Sequence, residues 1–131
     1  MPIHIDRLDH LVLTVRDLQT TCAFYERVLG MQVITFAGGR YALQFGQQKI
    51  NLHQAGQEFE PKAHLPTPGS ADLCFITPQP VEQIVKHIQD CAIAIVEGPV
   101  TRTGALGAME SVYLRDPDGN LLEIAHYTAS I

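Results

Sequence analysis

The chain has 131 residues, of which 46% are hydrophobic and 18% are charged, and its formal net charge is −5. This length predicts one domain, or two small intertwined halves, with a hydrophobic core of its own. An acidic chain without a basic run gives no electrostatic basis for binding nucleic acid or an anionic membrane. The three cysteines, Cys22, Cys74 and Cys91, are odd in number and scattered, which predicts reduced core thiols in a cytoplasmic protein.

The first half of the chain predicts a strand, a helix and three more strands. The helix covers residues 18–29, because Asp17 is a suitable N-cap and Gly30 a suitable C-cap. Its apolar residues recur at helical spacing, which predicts one buried face. The strands are predicted at residues 8–15, 31–36, 40–45 and 49–53.

A linker rich in proline and glycine, residues 54–70, separates this half from a second one. There the same order of elements recurs, with a helix that begins at Pro80 and ends near residue 90. Strands are predicted at residues 71–77, 92–96 and 110–115 and after the turn at 116–119, with another turn at Gly98-Pro99. We therefore predict one domain, residues 1–131, built from two βαβββ modules at 8–53 and 71–127.

Superimposing the two halves aligns two pairs of polar residues that have apolar neighbours. The first strands align His10 with Asp72, and the last strands align Asn51 with Glu123. Glu123 stands in an otherwise apolar strand, where burying a carboxylate is costly unless a partner is present. His126 has the opposite strand parity and is expected on the other face. An imidazole and two carboxylates form a suitable binding set for a divalent metal ion.

Two stretches carry a resemblance to a known family. The first runs from Leu8–Leu11 to Phe24–Met31, and the second is Asp116–Glu123. In this order and spacing the chain resembles the vicinal oxygen chelate superfamily of glyoxalases, bleomycin-resistance proteins and extradiol dioxygenases. Within this group it looks most like the small lactoylglutathione-lyase-like proteins. The resemblance implies an α+β fold in which two tandem βαβββ modules form a cupped, open β-barrel.

The resemblance also implies a metal site on the first and last strands of each module. The corresponding residues are His10, Asn51, Asp72 and Glu123. His10 and Glu123 match the usual ligand types, whereas Asn51 replaces a carboxylate and Asp72 replaces a His or Gln. His53 lies two residues beyond Asn51 on the same strand face and is an alternative ligand. The expected metal is Mn, Fe, Co, Ni or Zn.

The resemblance implies a metal-dependent lyase or isomerase whose small substrate chelates the metal through neighbouring oxygens. Glu123 is the first candidate for the catalytic base and Asp72 the second. The loop 101–109 and the linker 54–68 are expected to border the pocket. Dimeric relatives combine strands from two chains, so a homodimer is expected in which the first-module ligands of one chain meet the second-module ligands of the other.

Two other functions remain open at this stage. An Fe(II)-dependent dioxygenase would usually have two histidines and one glutamate, and Asp72 counts against it. A metal-free drug- or antibiotic-binding protein needs only an apolar groove, and Asn51 favours this reading whereas His10 and Glu123 oppose it. Use of glutathione is not supported, because no basic cluster is evident for its carboxylates, although the scattered Arg40, Arg102 and Arg115 could act together.

Each candidate residue also has a structural alternative. The alternatives are a salt bridge to Arg115 for Glu123, a core position for His10, a strand start for Asp72, a hydrogen-bonding or substrate-orienting role for Asn51, and a polar strand end for His53.

Overall fold

The computed structural model describes residues 2–128 and divides the chain into two compact units, Met1–Thr67 and Pro68–Ile131. Unit 1 contains β1 (His10–Val15), α1 (Leu18–Leu29), β2 (Gln32–Phe36), β3 (Arg40–Phe45) and β4 (Gln48–Gln54). Unit 2 contains β5 (Asp72–Ile76), α2 (Val81–Asp90), β6 (Glu97–Thr103), β7 (Ala108–Arg115) and β8 (Leu121–Tyr127). Both units have the order βαβββ, which confirms the predicted α+β class.

Each unit forms one four-stranded mixed sheet, and the two sheets share a single topology. The strand orders are β1-β4-β3-β2 and β5-β8-β7-β6. In each sheet the first strand of the unit pairs in parallel with the last, and the other neighbours are antiparallel. The internal repeat seen in the sequence is therefore a repeat of strand pairing as well as of element order.

Helix α1 has the bounds that its capping residues predict. The Asp17 side chain accepts a hydrogen bond from the Thr20 backbone N–H at 2.9 Å, and this satisfies one of the free donors of the first turn. Gly30 ends the helix in the left-handed conformation, at φ 65°, which costs glycine little. Neither α1 nor α2, the helices of residues 2–128, is long and apolar enough to cross a membrane.

One face of each sheet carries the core. In unit 1 the buried side chains of Leu13, Leu43 and Leu52 alternate with residues of the opposite face, and α1 packs against them. In unit 2 the corresponding layer includes Val112 and Leu122, against which α2 packs. Residues of opposite parity form the face that no helix of the same unit covers, and we call it the helix-free face. In unit 1 it includes His10, Val12, Arg40, Ala42, Lys49, Asn51 and His53, and in unit 2 Asp72, Cys74, Ser111, Tyr113 and Glu123.

The predicted strand at 92–96 and the predicted turn at Gly98-Pro99 are both wrong. Residues 92–95 complete the exit from α2, and β6 runs through Gly98 and Pro99. The register of β6 shifts between Glu97 and Val100, and a bulge of this kind accommodates glycine at φ 112°. Proline is also accepted because β6 is an edge strand. In sequence, glycine and proline in a bulged edge strand give the same signal as a turn.

The turn before β8 is held by a network of side-chain hydrogen bonds. The Asp116 carboxylate accepts bonds from the backbone N–H groups of Asp118 and Asn120, at 2.9 and 3.0 Å. The Asn120 amide donates to Asp116 Oδ2 at 2.7 Å, and its Oδ1 accepts from the Ala71 backbone N–H at 2.9 Å. Asn120 is fully buried. This residue therefore ties the turn to the chain just before β5.

Replacing Asn120 by alanine is expected to destabilise the protein by about 2 kcal/mol, because the change removes the hydrogen bond to Asp116 Oδ2 and the one that Asn120 Oδ1 accepts from the Ala71 N–H. The free energy of unfolding is measured by urea denaturation followed by circular dichroism. Gln19→Ala, on the exposed side of α1, is the control and should change the free energy of unfolding by less than about 0.5 kcal/mol. Equal stability of the two variants would contradict the role of Asn120.

Candidate functional site

The parallel pairing of β1 with β4 places three candidate residues on the helix-free face of unit 1. Val12 pairs with Asn51 and Thr14 with His53, and His10 stands two residues before Val12 on the same side of β1. His10 and Asn51 are thus diagonal neighbours across a parallel pair. His53 follows on β4, one side-chain step along the same face.

Unit 2 repeats this arrangement with different residues. Cys74 pairs with Glu123, and Asp72 stands two residues before Cys74 on β5. The offset between Asp72 and Glu123 is the same as that between His10 and Asn51. The alignment of the two halves made from the sequence is therefore confirmed at the level of strand register.

His10 is held by its neighbour in the chain. Its Nδ1 lies 2.9 Å from Asp9 Oδ2, and its side chain is 44% exposed. The reading as a core histidine is therefore wrong. An ionised carboxylate only accepts hydrogen bonds, so a neutral imidazole donates from Nδ1 and keeps the lone pair of Nε2 available. The hydrogen bond from His10 lowers the pKa of Asp9 from its ordinary value of 3.8.

Asn51 and Glu123 share an unusual feature at equivalent positions. Asn51 Oδ1 and Glu123 Oε2 are both buried and have no hydrogen-bond partner among the described residues. Such an atom loses its hydration without compensation, which is unfavourable, above all for a carboxylate. The Arg115 guanidinium donates to the Gly119 carbonyl at 3.2 Å. No ion pair joins it to Glu123 within residues 2–128, so the salt-bridge alternative is wrong.

Glu123 lies in a row of polar side chains that crosses the sheet of unit 2. Its neighbours in register are Cys74 on β5 and Tyr113 on β7, and Tyr113 faces Glu97 on β6. Arg102 donates to the Tyr113 hydroxyl at 3.0 Å and to Glu97 Oε2 at 2.8 Å. This fixes one end of the row and raises the pKa of Arg102, with Tyr113 as the first cause. Arg102 is thus engaged away from Glu123.

Cys74 is exposed, which corrects its prediction as a core thiol, whereas Cys22 is buried as predicted. Desolvation, the charge of Glu123 and a hydrogen bond with that carboxylate raise the Cys74 pKa to about 11. Cys74 is therefore a protonated thiol at neutral pH, beside the carboxylate. Asp72 is exposed at the first position of β5 and has no side-chain hydrogen bond or ion pair within the described part of the chain.

His53 is the last residue but one of β4 and is only 8% exposed, so it lies near the strand end but is buried. Phe59, from the predicted linker, covers it with the two ring centroids 5.5 Å apart. The Arg40 guanidinium lies over the same Phe59 ring, 4.2 Å from its centroid. Burial, followed by the charge of Arg40, lowers the pKa of His53 from 6.5. His53 is accordingly neutral near pH 7.

His126 points to the opposite face of its sheet, as predicted, and its Nδ1 lies 3.1 Å from the Thr77 carbonyl oxygen.

The predicted metal donors are distributed over the two units. Among residues 2–128 no group of three His, Cys, Asp or Glu side chains stands close enough to hold a metal ion. Each unit by itself brings together two of the predicted donors, His10 with Asn51 and Asp72 with Glu123. The unpartnered oxygens of Asn51 and Glu123, and a His10 ring oriented by a carboxylate, have the chemistry of metal donors.

The fold and these paired donors define a class of α+β proteins built from two βαβββ repeats. Residues 7–124 match the glyoxalase/bleomycin resistance protein/dioxygenase superfamily. The chain belongs to this family, as its motifs predicted.

Two relatives are similar over nearly the whole chain. Virulence protein STM3117 of Salmonella typhimurium is 63% identical over 123 residues, covering 94% of this chain and 85% of the relative. Its crystal structure matches with a TM-score of 0.95 at 62% identity, covering 96% of this chain and all of the other. Glyoxalase domain-containing protein RDO1 of Mycosarcoma maydis is 54% identical over 125 residues, covering 95% of this chain and 70% of the relative.

More distant solved structures share the fold alone. Lactoylglutathione lyase from Agrobacterium tumefaciens has a TM-score of 0.72 at 21% identity, covering 94% of this chain and 95% of the other. TnmS3, an antibiotic-binding protein from Streptomyces sp. CB03234, has a TM-score of 0.73 at 18% identity, covering 97% of this chain and all of the other. The fold is therefore shared by a lyase and by a binding protein.

Several residues of these faces were not found from the sequence. No sequence signal marks Cys74, Phe59 or Lys49. A cysteine and a phenylalanine are ordinary core residues, and a lysine is an ordinary surface residue. For Arg40 a signal existed, because the predicted hairpin of 40–45 and 49–53 places it opposite His53. The register of this predicted hairpin is therefore sufficient to predict that Arg40 neighbours His53.

Neutralising Glu123 should change the titration of Cys74. In Glu123→Gln the thiol pKa is expected to fall from about 11 towards its ordinary value of 9.0 without reaching it, because desolvation is the largest cause and remains. The pH dependence of Cys74 alkylation by iodoacetamide, measured by peptide mass spectrometry, reports this pKa. Glu82→Gln on exposed α2 is the matched control. An unchanged titration in Glu123→Gln would disprove the contact.

Proposed function

We propose that the protein is a metal-dependent lyase or isomerase that acts on a small oxygenated substrate. The observation that carries the proposal is the buried, unpartnered Oε2 of Glu123, which lacks any compensating cation among the described residues. Natural proteins retain such an atom where a ligand satisfies it. Family membership and the equivalent unpartnered oxygen of Asn51 support the same reading.

The ligand set follows from the resemblance to the family, and each unit supplies two of its members. His10 would bind through Nε2 while Asp9 holds its ring, and Glu123 would bind through Oε2. Asp72 completes the set, with Asn51 next to His10. A divalent Mn, Fe, Co, Ni or Zn ion would supply Lewis-acid stabilisation of a developing oxyanion or enolate.

The remaining chemistry belongs to the side chains themselves. Glu123 is the proposed base, because its oxygen is desolvated and no guanidinium or ammonium group pairs with it. Asp72 is the second candidate, although its exposed carboxylate is less suited to hold a proton away from water. The three free cysteines fit a reducing, cytoplasmic setting. A homodimer that shares the site between chains completes the proposal.

A metal-free small-molecule binder is the second candidate function. It is favoured by apolar side chains left exposed on the helix-free faces, Val12 at 45% and Ile76 at 53%. Exposed apolar side chains of this kind suit contact with a drug or antibiotic, and the similar fold of TnmS3 belongs to an antibiotic-binding protein. An Fe(II)-dependent dioxygenase is a third reading, distinguished from the first by the identity of the metal.

Metal analysis separates these functions. Protein purified without chelators is expected to carry or take up a stoichiometric divalent metal, measured by inductively coupled plasma mass spectrometry. His10→Ala and Glu123→Gln should each weaken metal binding at least about tenfold, since loss of even an outer-shell partner costs 10- to 100-fold. If wild type binds none of Mn, Fe, Co, Ni and Zn, the metalloenzyme reading falls and the binder reading leads.

The control for this experiment is Glu82→Gln, which removes one carboxylate from an exposed position of α2 and should leave the metal content unchanged. With metal bound, turnover of methylglyoxal with glutathione tests the glyoxalase reaction. Absence of that turnover in metal-loaded protein would exclude this reaction while retaining the metal site.

A further inference from the structure

Two cations lie on the helix-free face of unit 1 without a carboxylate partner. Arg40 shares this face with Asn51 because Ala42, two residues later on β3, pairs with Asn51. Lys49 stands two residues before Asn51 on β4. Both side chains are half-buried, and neither makes an ion pair within residues 2–128. The two charges are therefore partly shielded from water and are not neutralised by an ion pair.

Aromatic rings fix the position of both cations. The Arg40 guanidinium lies 4.2 Å from the centroid of Phe59, and the Lys49 ammonium lies 3.9 Å from the centroid of Phe36. Cation–π contacts of this length hold the charged group in place without neutralising it. The stacked guanidinium keeps its N–H donors available in the plane of the group.

His53 lies next to Arg40 on this face. It is more than nine-tenths buried, shares the helix-free face with Arg40, and contacts the same Phe59 ring. Neither of its ring nitrogens has a hydrogen bond in the described part of the chain. An anion bound by Arg40 would therefore lie close to an imidazole whose nitrogens are available for a hydrogen bond.

The carboxylates nearest these groups are already engaged. Glu58 accepts a hydrogen bond from the Gly56 backbone N–H at 2.8 Å and lies 3.7 Å from the Lys62 ammonium. Asp9 is close enough to Lys49 for its pKa to be lowered by that charge, but its carboxylate is bonded to His10. The positive character of Arg40 and Lys49 is therefore left for a ligand.

We propose that Arg40, Lys49 and His53 form an oxyanion-binding subsite on unit 1, and that the substrate carries a carboxylate or phosphate group. The guanidinium is suited to a paired contact with two oxygens, and the ammonium to a point-charge contact. This inference rests on the proposed function in one respect, because it names the chemical class of the substrate of that lyase or isomerase. It assigns His53 to the substrate rather than to the metal, because His53 and Arg40 contact the same Phe59 ring.

The experiment measures anion binding to the full chain after passage over a chelating resin, so that no metal contributes. Malonate and inorganic phosphate are the anionic probes, malonamide is the neutral analogue of malonate, and isothermal titration calorimetry gives the Kd. Malonate or phosphate should bind, malonamide should not, and Kd should rise with salt concentration. The stronger of the two probes identifies the source of the oxyanion.

Arg40→Gln and Lys49→Gln should each weaken binding roughly 10-fold or more, the size expected for a charge-assisted hydrogen bond. Arg27→Gln, on the exposed surface of α1, removes the same charge from the same unit and should leave Kd unchanged. In wild type, the anion should shift the NMR signals of the His53 ring but not those of His87 on α2.

Equal affinity for malonate and malonamide, equal weakening by Arg27→Gln, or an unshifted His53 ring would each overturn the subsite. The ring signals are read in wild type, so this arm holds even where Arg40→Gln fails to fold. Failure of metal binding leaves this result untouched, and failure of anion binding leaves the metal analysis untouched. The two proposals are therefore tested separately.

Discussion

The parallel pairing of the first and last strands in each unit is the constraint on which the candidate site depends. Strands joined in parallel require a crossover, and here the helix and two further strands provide it. The pairing fixes which residues of distant sequence positions become neighbours. It sets His10 diagonal to Asn51 and Asp72 diagonal to Glu123 with one common offset. A shift of one residue would turn these polar side chains into the core and the leucines out of it.

That register has an energetic consequence, because it brings polar oxygens into a poorly hydrated position. Asn51 Oδ1 and Glu123 Oε2 lose water and gain no protein donor. Exposed side chains at the same positions would avoid this cost, so the arrangement opposes stability unless a ligand compensates. In the neighbouring turn, by contrast, the Asp116 carboxylate accepts hydrogen bonds from two backbone N–H groups and from the Asn120 amide. The recurrence of such an oxygen at equivalent positions of the two repeats indicates a functional role.

The sequence predicted most of the fold because its signals were local. The caps of α1 fixed that helix, and period-two alternation fixed the faces of β8. The start of β6 was mispredicted because Gly98 and Pro99 serve a bulge in an edge strand. The internal repeat predicted which polar residues occupy equivalent positions in the two units, but it did not predict which side chains contact them. Nothing local predicts that Phe59 folds back onto His53, or that the Cys74 thiol meets Glu123, because both depend on contacts between separate elements.

The two repeats share a backbone plan but have diverged in charge. Residues 1–67 contain six lysines and arginines against six acidic residues, whereas residues 68–131 contain three against eight, so the whole net charge of −5 belongs to the second part. On the helix-free faces, unit 1 carries Arg40 and Lys49, whereas unit 2 carries Asp72, Glu97 and Glu123 together with Arg102 and Arg115. The two faces of the duplicated fold therefore differ in the charges that they present. Under the two proposals, the unpartnered cations of unit 1 would bind an anion, and the unpartnered Oε2 of Glu123 in unit 2 would bind a metal ion.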